Sequence, residues 1–172
     1  EQESERLKKL IEDFLTLSRK GQIDYQEEIF TTKSLLLEIK SSFEIDSSNK
    51  IEIEGDDNLH IKTNRFALRE ILNILVENAI KYSPKSSMVL IKYDKKEIQV
   101  IDQGIGVSDN EKAKVFNRFY QVEKSRTNHT GNGIGLAIAQ QYAQIINAEI
   151  YISDNLPNGT IFHLSFKNVN EK

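Results

Sequence analysis

The sequence has 172 residues, 38% hydrophobic and 28% charged, with a formal net charge of -3. These values are typical of an ordinary globular domain and give no positive footprint for nucleic acid. Cysteine is absent and histidine occurs three times. A disulfide framework and a thiolate metal site are therefore excluded, and a metal would need oxygen ligands.

The first 21 residues predict a bundle helix. Their apolar residues alternate spacings of three and four, while the other faces carry charge, which is the pattern of a helix packed on a partner helix. Gly21 ends this helix, and residues 22–27 serve as a linker. Because the chain starts at Glu1 without methionine and enters a helical pattern at once, we expect a piece of a longer protein. The apolar residues are Leu7, Leu10, Phe14 and Leu17.

After the linker, the pattern predicts a short strand over residues 28–32 and then a helix over about residues 33–45. Thr31 or Thr32 is positioned to cap this helix. Isoleucine and leucine alternate with polar residues over positions 51–61, on either side of a Gly-Asp-Asp-Asn turn. This alternation predicts a β-hairpin.

The remaining elements predict a core helix, two pairs of strands, a long polar loop and a final helix. Helices and antiparallel strands come in blocks, so we expect an α+β fold. It is a two-layer α/β sandwich with a mixed, mostly antiparallel sheet covered by helices on one face, plus the N-terminal bundle helix. The expected ranges are helix 64–82, strands 88–93 and 97–102, loop 103–132 with a short helix at 110–116, helix 133–146, and strands 149–153 and 160–166.

Glycines cluster around the long loop. Five of the eight lie between positions 104 and 135, where they let backbone amides approach a phosphate closely. Residues 131–136 lead directly into a helix, whose amino end is a natural anion site. A glycine-rich hinge without a ligand is the alternative. The five are Gly104, Gly106, Gly131, Gly133 and Gly135.

Polar residues flank this region. Asn78, Lys81 and Tyr82 share one helix face, and an amide oxygen, an ammonium and a phenol together suit a magnesium ion bound to phosphates. Asp102 follows an apolar strand and is placed to accept a hydrogen bond from an exocyclic amine such as that of adenine. Taken singly, the triplet is also compatible with a solvated helix face, and Asp102 with a turn.

Together these motifs resemble the boxes of sensor histidine kinases, in the same order and spacing. LVENAIKYS at 75–83 resembles the N box and DQGIG at 102–106 the first glycine box. FNRFY at 116–120 resembles the F box and GNGIGL at 131–136 the second glycine box. The resemblance extends to Gly159–Thr160 and to the N-terminal helix, so it covers essentially the whole chain.

The resemblance implies that the chain binds ATP with Mg²⁺. Asn78 would hold the metal, Lys81 and Tyr82 would meet the phosphates, and Asp102 would bind adenine with Thr160 nearby. Residues 103–132 would form a mobile lid anchored by two phenylalanines, Phe116 and Phe119. The implied nucleotide-binding set is Asn78, Lys81, Tyr82, Asp102, Gly104, Gly106, Phe119, Gly131, Gly133, Gly135, Leu136 and Thr160.

The resemblance further implies transfer of the γ-phosphate to a histidine on a dimerisation domain, for relay to a response regulator. Residues 1–21 would end the second dimerisation helix and residues 28–172 would form the catalytic domain. The intact protein would be a homodimer and a membrane-bound sensor with this domain in the cytoplasm. Since none of the three histidines precedes an acid in a seam helix, the chain should not phosphorylate itself. They are His60, His129 and His163.

Two positions depart from the family pattern. Ile74 replaces an asparagine one turn before the metal ligand, and Gln121 replaces an arginine that helps neutralise the transferring phosphate. We expect a nearby cation to compensate for Gln121. Asn64 replaces a helix-capping aspartate, which costs little because Asn also caps well. The expected catalytic residues are Lys81, Arg118, Lys124 and Arg126.

Two other functions remain open. In gyrase-like ATPases the residue at position 74 is a water-activating Glu, and isoleucine cannot act as a base. Glu77 points about 100° away from the face that carries Asn78 and should not replace this base. An autonomous ATPase is therefore the weaker hypothesis. A nucleotide-sensing or interaction domain without kinase activity is the third, because the missing Asn and Arg are consistent with lost transfer.

Overall fold

The structure is a computed structural model that describes residues 26–45, 47–122 and 133–167. None of the helices in these ranges is long and apolar enough to cross a membrane. The helices are α1 (Thr32–Glu44), α2 (Arg65–Tyr82) and α3 (Gly135–Ile145), with a short 3₁₀ helix at Lys114–Phe116. The strands are β1 (Glu28–Thr31), β2 (Lys50–Gly55), β3 (His60–Thr63), β4 (Met88–Tyr93), β5 (Glu97–Ile101), β6 (Ala148–Asp154) and β7 (Thr160–Phe166).

Five strands form one mixed sheet in the order β2-β4-β5-β7-β6. The β2–β4 pair is parallel, and the other three pairs are antiparallel. The apolar stripe of α2 is fully buried in the core that also contains Val89, Val100 and Leu164 of the sheet. Each of these large side chains contributes about 1.5–3 kcal/mol by its burial. The α+β class with a mostly antiparallel sheet is therefore confirmed.

The predicted hairpin over residues 51–61 is wrong. β2 and β3 do not pair: Ile51 lies opposite Val89 of β4, and Ile61 lies opposite Phe30 of β1 in a separate two-stranded sheet. The turn between them is shaped by a third strand, because the Tyr93 hydroxyl donates to the Asp56 carbonyl at 3.0 Å. Alternation within a segment does not reveal which distant strand it joins.

Two local expectations need adjustment, and a third is untested. Thr31 is the N-cap of α1, but its side chain makes no capping bond; instead the Ser34 hydroxyl donates to the Thr31 carbonyl at 2.7 Å. The short helix predicted over 110–116 is reduced to one 3₁₀ turn, preceded by turns. The N-terminal bundle helix, residues 1–21, lies outside the described residues.

The cap of α2 is as predicted and has a second role. The Asn64 side-chain oxygen accepts from the Ala67 amide at 2.8 Å, and its Nδ2 donates to the Gln26 carbonyl at 2.9 Å. An aspartate would supply the first bond but not the second, because it has no donor when ionised. The asparagine therefore joins α2 to the start of the described chain.

Candidate functional site

Asp102 lies immediately after β5 and is 2% exposed. Its Oδ1 accepts hydrogen bonds from the backbone amides of Gly104 at 2.8 Å and Thr160 at 3.0 Å. Burial raises the pKa of the Asp102 carboxyl above its ordinary value, although these bonds and one from the Thr160 side chain act to lower it. With Oδ1 engaged twice, Oδ2 is the oxygen best placed to accept from a ligand.

The first glycine box brings Asp102 against the end of α2. A Cβ at Gly104 would lie 2.6 Å from the Tyr82 carbonyl oxygen and 2.9 Å from Asp102 Oδ1. Such distances are sterically excluded, so only glycine permits this approach. Gly106 has a φ of +72° and lies near the Gly159 carbonyl. The boxes at 75–83 and 102–106, with Gly159–Thr160, are thus brought together.

The last turns of α2 carry the predicted phosphate and metal groups. Asn78 is half-buried, and its Nδ2 donates to the Ile74 carbonyl one turn earlier at 2.8 Å. That bond uses the amide nitrogen and leaves the side-chain oxygen as an acceptor or metal ligand. The Lys81 ammonium lies 5.0 Å from the centre of the Tyr82 ring, within the range of a cation–π contact.

The second glycine box leads into α3, whose amino end has no side-chain cap among the described residues. Its N-cap position is Ile134, and its first turn contains no acidic residue. A Cβ at Gly135 would be 3.4 Å from Ile74 Cγ2, so α3 begins directly against the N-box helix. Leu136 is half-buried and packs against the core. The start of α3 therefore lies beside Ile74, one turn of α2 before Asn78.

The F box closes onto the second glycine box through its backbone. The Phe119 amide donates to the Gly133 carbonyl at 2.7 Å, and both residues have positive φ, +63° and +66°. A Cβ at Gly133 would lie 2.7 Å from the Tyr120 carbonyl oxygen. Phe116 is buried as an anchor should be, whereas the Phe119 side chain is 64% exposed. In this state Phe119 anchors the segment by its main chain, not by its ring.

The structure describes only some of the predicted site residues. Lys124, Arg126 and Gly131 lie outside the described residues. Arg118 is exposed and makes no ion pair with the described parts of the chain. Of the two described histidines, His60 lies in β3, while His163 lies in β7 with Nε2 2.7 Å from Ser153 Oγ. Both therefore sit in strands, as the sequence indicated.

Two contacts at this end of the sheet carry no sequence signal. Asn155 Nδ2 donates to the main-chain carbonyl of Asp102 at 2.7 Å. Lys112 Nζ lies 2.8 Å from Asp154 Oδ2 and links the segment after the first glycine box to the end of β6. The partners are separated by 53 and 42 residues. An asparagine in a turn-rich loop predicts only a turn, so neither contact was foreseeable.

Comparison with known proteins agrees with this geometry. A sequence model of the family described as histidine kinase-, DNA gyrase B- and HSP90-like ATPase matches residues 63–170, well over half of the chain. The chain belongs to this ATPase family. The matched range contains Asn78, Asp102 and Thr160, and also both glycine boxes.

Relatives over nearly the whole length of this ATPase domain are sensor kinases. It is 32% identical to sensor histidine kinase WalK of Bacillus subtilis, over 98% of this chain and 30% of that protein. It is 31% identical to the signal transduction histidine-protein kinase ArlS of Staphylococcus aureus, over 96% of this chain and 39% of that protein. The chain thus spans about a third of these relatives and is a catalytic ATPase domain of the sensor-histidine-kinase type.

Solved structures support the fold of the ATPase domain. The Acinetobacter baumannii histidine kinase AdeS superposes with a TM-score of 0.72 at 22% identity, over 97% of this chain and 82% of that one. A full-length ShkA structure superposes with a TM-score of 0.75 at 22% identity, over 95% of this chain and 36% of that one. At this identity the likeness establishes the fold alone.

Proposed function

We propose that this domain binds Mg²⁺·ATP at the Asp102 end of the sheet and transfers the γ-phosphate to a histidine on a dimerisation domain. The buried Asp102 carboxylate, held by Gly104 and Thr160, carries this proposal. A buried carboxyl whose two backbone bonds both fall on Oδ1 leaves Oδ2 without a backbone donor, and it suits an amine that donates a single hydrogen bond. The exocyclic amine of adenine fits that description.

The phosphates are assigned to the region where α2 ends and α3 begins. Lys81 supplies a cation, and the uncapped amino end of α3 supplies amide donors and the positive end of a helix dipole. Gly133 and Gly135 allow the ligand to approach this backbone closely. Tyr82 is assigned a supporting contact from the same helix face.

The residues present also fit a magnesium ion. The Asn78 side-chain oxygen is left as an acceptor by the bond from its amide nitrogen to Ile74. Among the described residues, no group of three or more His, Asp or Glu side chains could hold a metal. One Asn oxygen is compatible with Mg²⁺, which prefers water and phosphate oxygens. When bound, the ion would neutralise phosphate charge.

The protein's part in the transfer is positioning and charge compensation. The Asp102 and Asn78 ends of the site would fix the nucleotide, and a cation from Arg118, Lys124 or Arg126 would offset charge on the transferring phosphoryl group. Ile74 packs against the start of α3 and carries no basic group, so it cannot activate water. This favours transfer to a protein acceptor over autonomous hydrolysis.

The intact protein is proposed to be a homodimeric, membrane-bound sensor with this domain in the cytoplasm. Residues 1–21 would complete a dimerisation helix, residues 22–27 would link it to the catalytic domain at 28–172, and a response regulator would receive the phosphate. Relatives such as WalK, of which this chain covers about a third, are the basis for this wider assignment.

Calorimetric titration with ATP, with and without Mg²⁺, tests the binding site. We expect Mg²⁺-dependent binding that weakens at least tenfold in Asp102→Asn, because the amide nitrogen can present a donor to the adenine amine. Asn73→Asp is a matched control: it exchanges the same two groups, in the opposite sense, at a half-buried position of α2. Absence of ATP binding by the unaltered chain would contradict the proposal and favour a non-catalytic interaction domain.

A further inference from the structure

The β6–β7 loop, residues 155–159, lies against the main chain of Asp102. Asn155 Nδ2 donates to the Asp102 carbonyl oxygen at 2.7 Å, and the Asn155 amide donates to the Gly159 carbonyl at 3.1 Å. We infer that Asn155 is a positioning residue that sets the base selectivity of the nucleotide site through Asp102. The inference rests on the proposed function, because it concerns the same site.

Asp102 is restrained on both sides of its α-carbon. Its amide donates to the Thr160 carbonyl at 2.9 Å, and its own carbonyl accepts from Asn155. Gly159 passes so close that any side chain there would collide with the Asp102 carbonyl oxygen. The loop therefore fixes the main chain of a residue whose side chain faces the ligand.

The Asn155 bond controls the peptide group that orients the carboxylate. Asp102 Oδ1 accepts from the Gly104 amide, so the Asp102–Gln103 peptide lies inside this short ring of bonded atoms. Without Asn155, the Asp102 carbonyl would be left without its partner in a buried site, and rotating the peptide outward would recover a bond to water. That rotation would also displace Oδ1 from Gly104 and move Oδ2.

Moving Oδ2 affects one base more than the other. The adenine amine donates to a carboxylate, whereas guanine presents a carbonyl oxygen at the equivalent ring position and is repelled by it. A fixed carboxylate therefore favours ATP over GTP. A displaced carboxylate weakens ATP binding and relieves the repulsion toward GTP, so the ratio of the two affinities falls.

The test compares ATP and GTP dissociation constants, with Mg²⁺, for the unaltered chain, Asn155→Asp and Asn158→Asp. Asn155→Asp replaces the donor with an oxygen that faces the Asp102 carbonyl, and we expect ATP to bind about tenfold more weakly, with the ATP-to-GTP preference also reduced about tenfold. Asn158→Asp makes the same chemical change at an exposed position of the same loop and should retain the preference.

Thermal unfolding of each variant separates selectivity from folding. If Asn155→Asp fails to fold, Asn155→Ala removes the bond without repulsion and should lower the preference severalfold. A folded variant that retains the ATP-to-GTP preference, or an equal loss in Asn158→Asp, would overturn the inference. If the unaltered chain binds neither nucleotide, the proposed function is wrong and the inference is overturned with it. If that chain prefers ATP and a folded Asn155 variant does too, only the inference is wrong.

Discussion

At the residue scale, opposing effects act on one carboxyl group. Burial of Asp102 disfavours its ionised form, while the Gly104 amide, the Thr160 amide and the Thr160 side chain favour it. Burial is the largest effect, so the pKa of Asp102 is raised. Recognition of an amine needs the ionised acceptor, so ligand affinity and protonation are coupled at this residue.

The coupling predicts a pH dependence of ATP binding. Because the folded-state pKa of Asp102 is above its ordinary value, the carboxyl retains its proton to a higher pH than an exposed Asp does. The ionisation cost lowers protein stability as the pH rises from the ordinary pKa through the raised one. ATP affinity should change in the opposite sense and increase over that window. Calorimetry on the unaltered chain and Asp102→Asn, from the ordinary pKa of Asp, 3.8, up to neutral pH, checks this.

The comparison with Asp102→Asn removes the titration of ATP itself, since both proteins bind the same phosphates. We expect the advantage of the unaltered chain over the variant to shrink as the pH falls. Two parallel profiles would show that Asp102 does not titrate in this range or does not contact the base. The position of the change would also locate the folded-state pKa experimentally.

At the element scale, α2 connects its capped amino end to the candidate nucleotide site. The helix has 18 residues, about 27 Å at 1.5 Å per residue, with Asn64 at one end and Lys81 in the last turn at the other. A cation there is favoured by the helix dipole. Since Asn64 also bonds the Gln26 carbonyl, the two ends connect the start of the described chain to the phosphate region.

Two substitutions of Asn64 distinguish the contributions of its two hydrogen bonds to stability. Asn64→Ala should lower the free energy of unfolding by about 1–2 kcal/mol, because the buried cap of α2 is lost together with the bond to the Gln26 carbonyl. Asn64→Asp should cost less, since it keeps the acceptor for Ala67 and loses only the donor to Gln26. Urea unfolding measures both, with Asn73→Ala as the control within the same helix. A cost for Asn64→Ala no larger than that of the control would contradict the prediction.

At the scale of the whole molecule, the sequence predicted what is local. The apolar repeat of α2 and the alternation in β4 and β5 reflect burial on one face, so those elements were placed within a residue or two. The partner strand of β2 was not predicted, because the alternation of apolar and polar residues in β2 is equally compatible with a hairpin and with pairing of Ile51 opposite Val89. Asp102 was identified by its position after a strand, but its contact with Asn155 arises only from the folded chain.

Charge compensation is also a property of the whole site. Gln121 is neutral where the resemblance to sensor histidine kinases implies an arginine, so the proposed phosphate transfer would need another cation. Arg118 is exposed next to the backbone contact between Phe119 and Gly133. We therefore propose that the exposed Arg118 guanidinium contacts the phosphate.

Alanine at Arg118, Lys124 and Arg126 together should slow phosphate transfer to a supplied dimerisation domain by about 10²-fold, because charge developing in the transition state would be left uncompensated. ATP affinity should change much less, since Lys81 and the start of α3 still bind the ground state. Single-turnover transfer and calorimetry separate these two quantities. A control with the same net charge replaces Lys62, Lys92 and Lys167 with Ala. Transfer that is unchanged in the first triple variant, or equally slowed in the control, would show that these cations do not act on the phosphate.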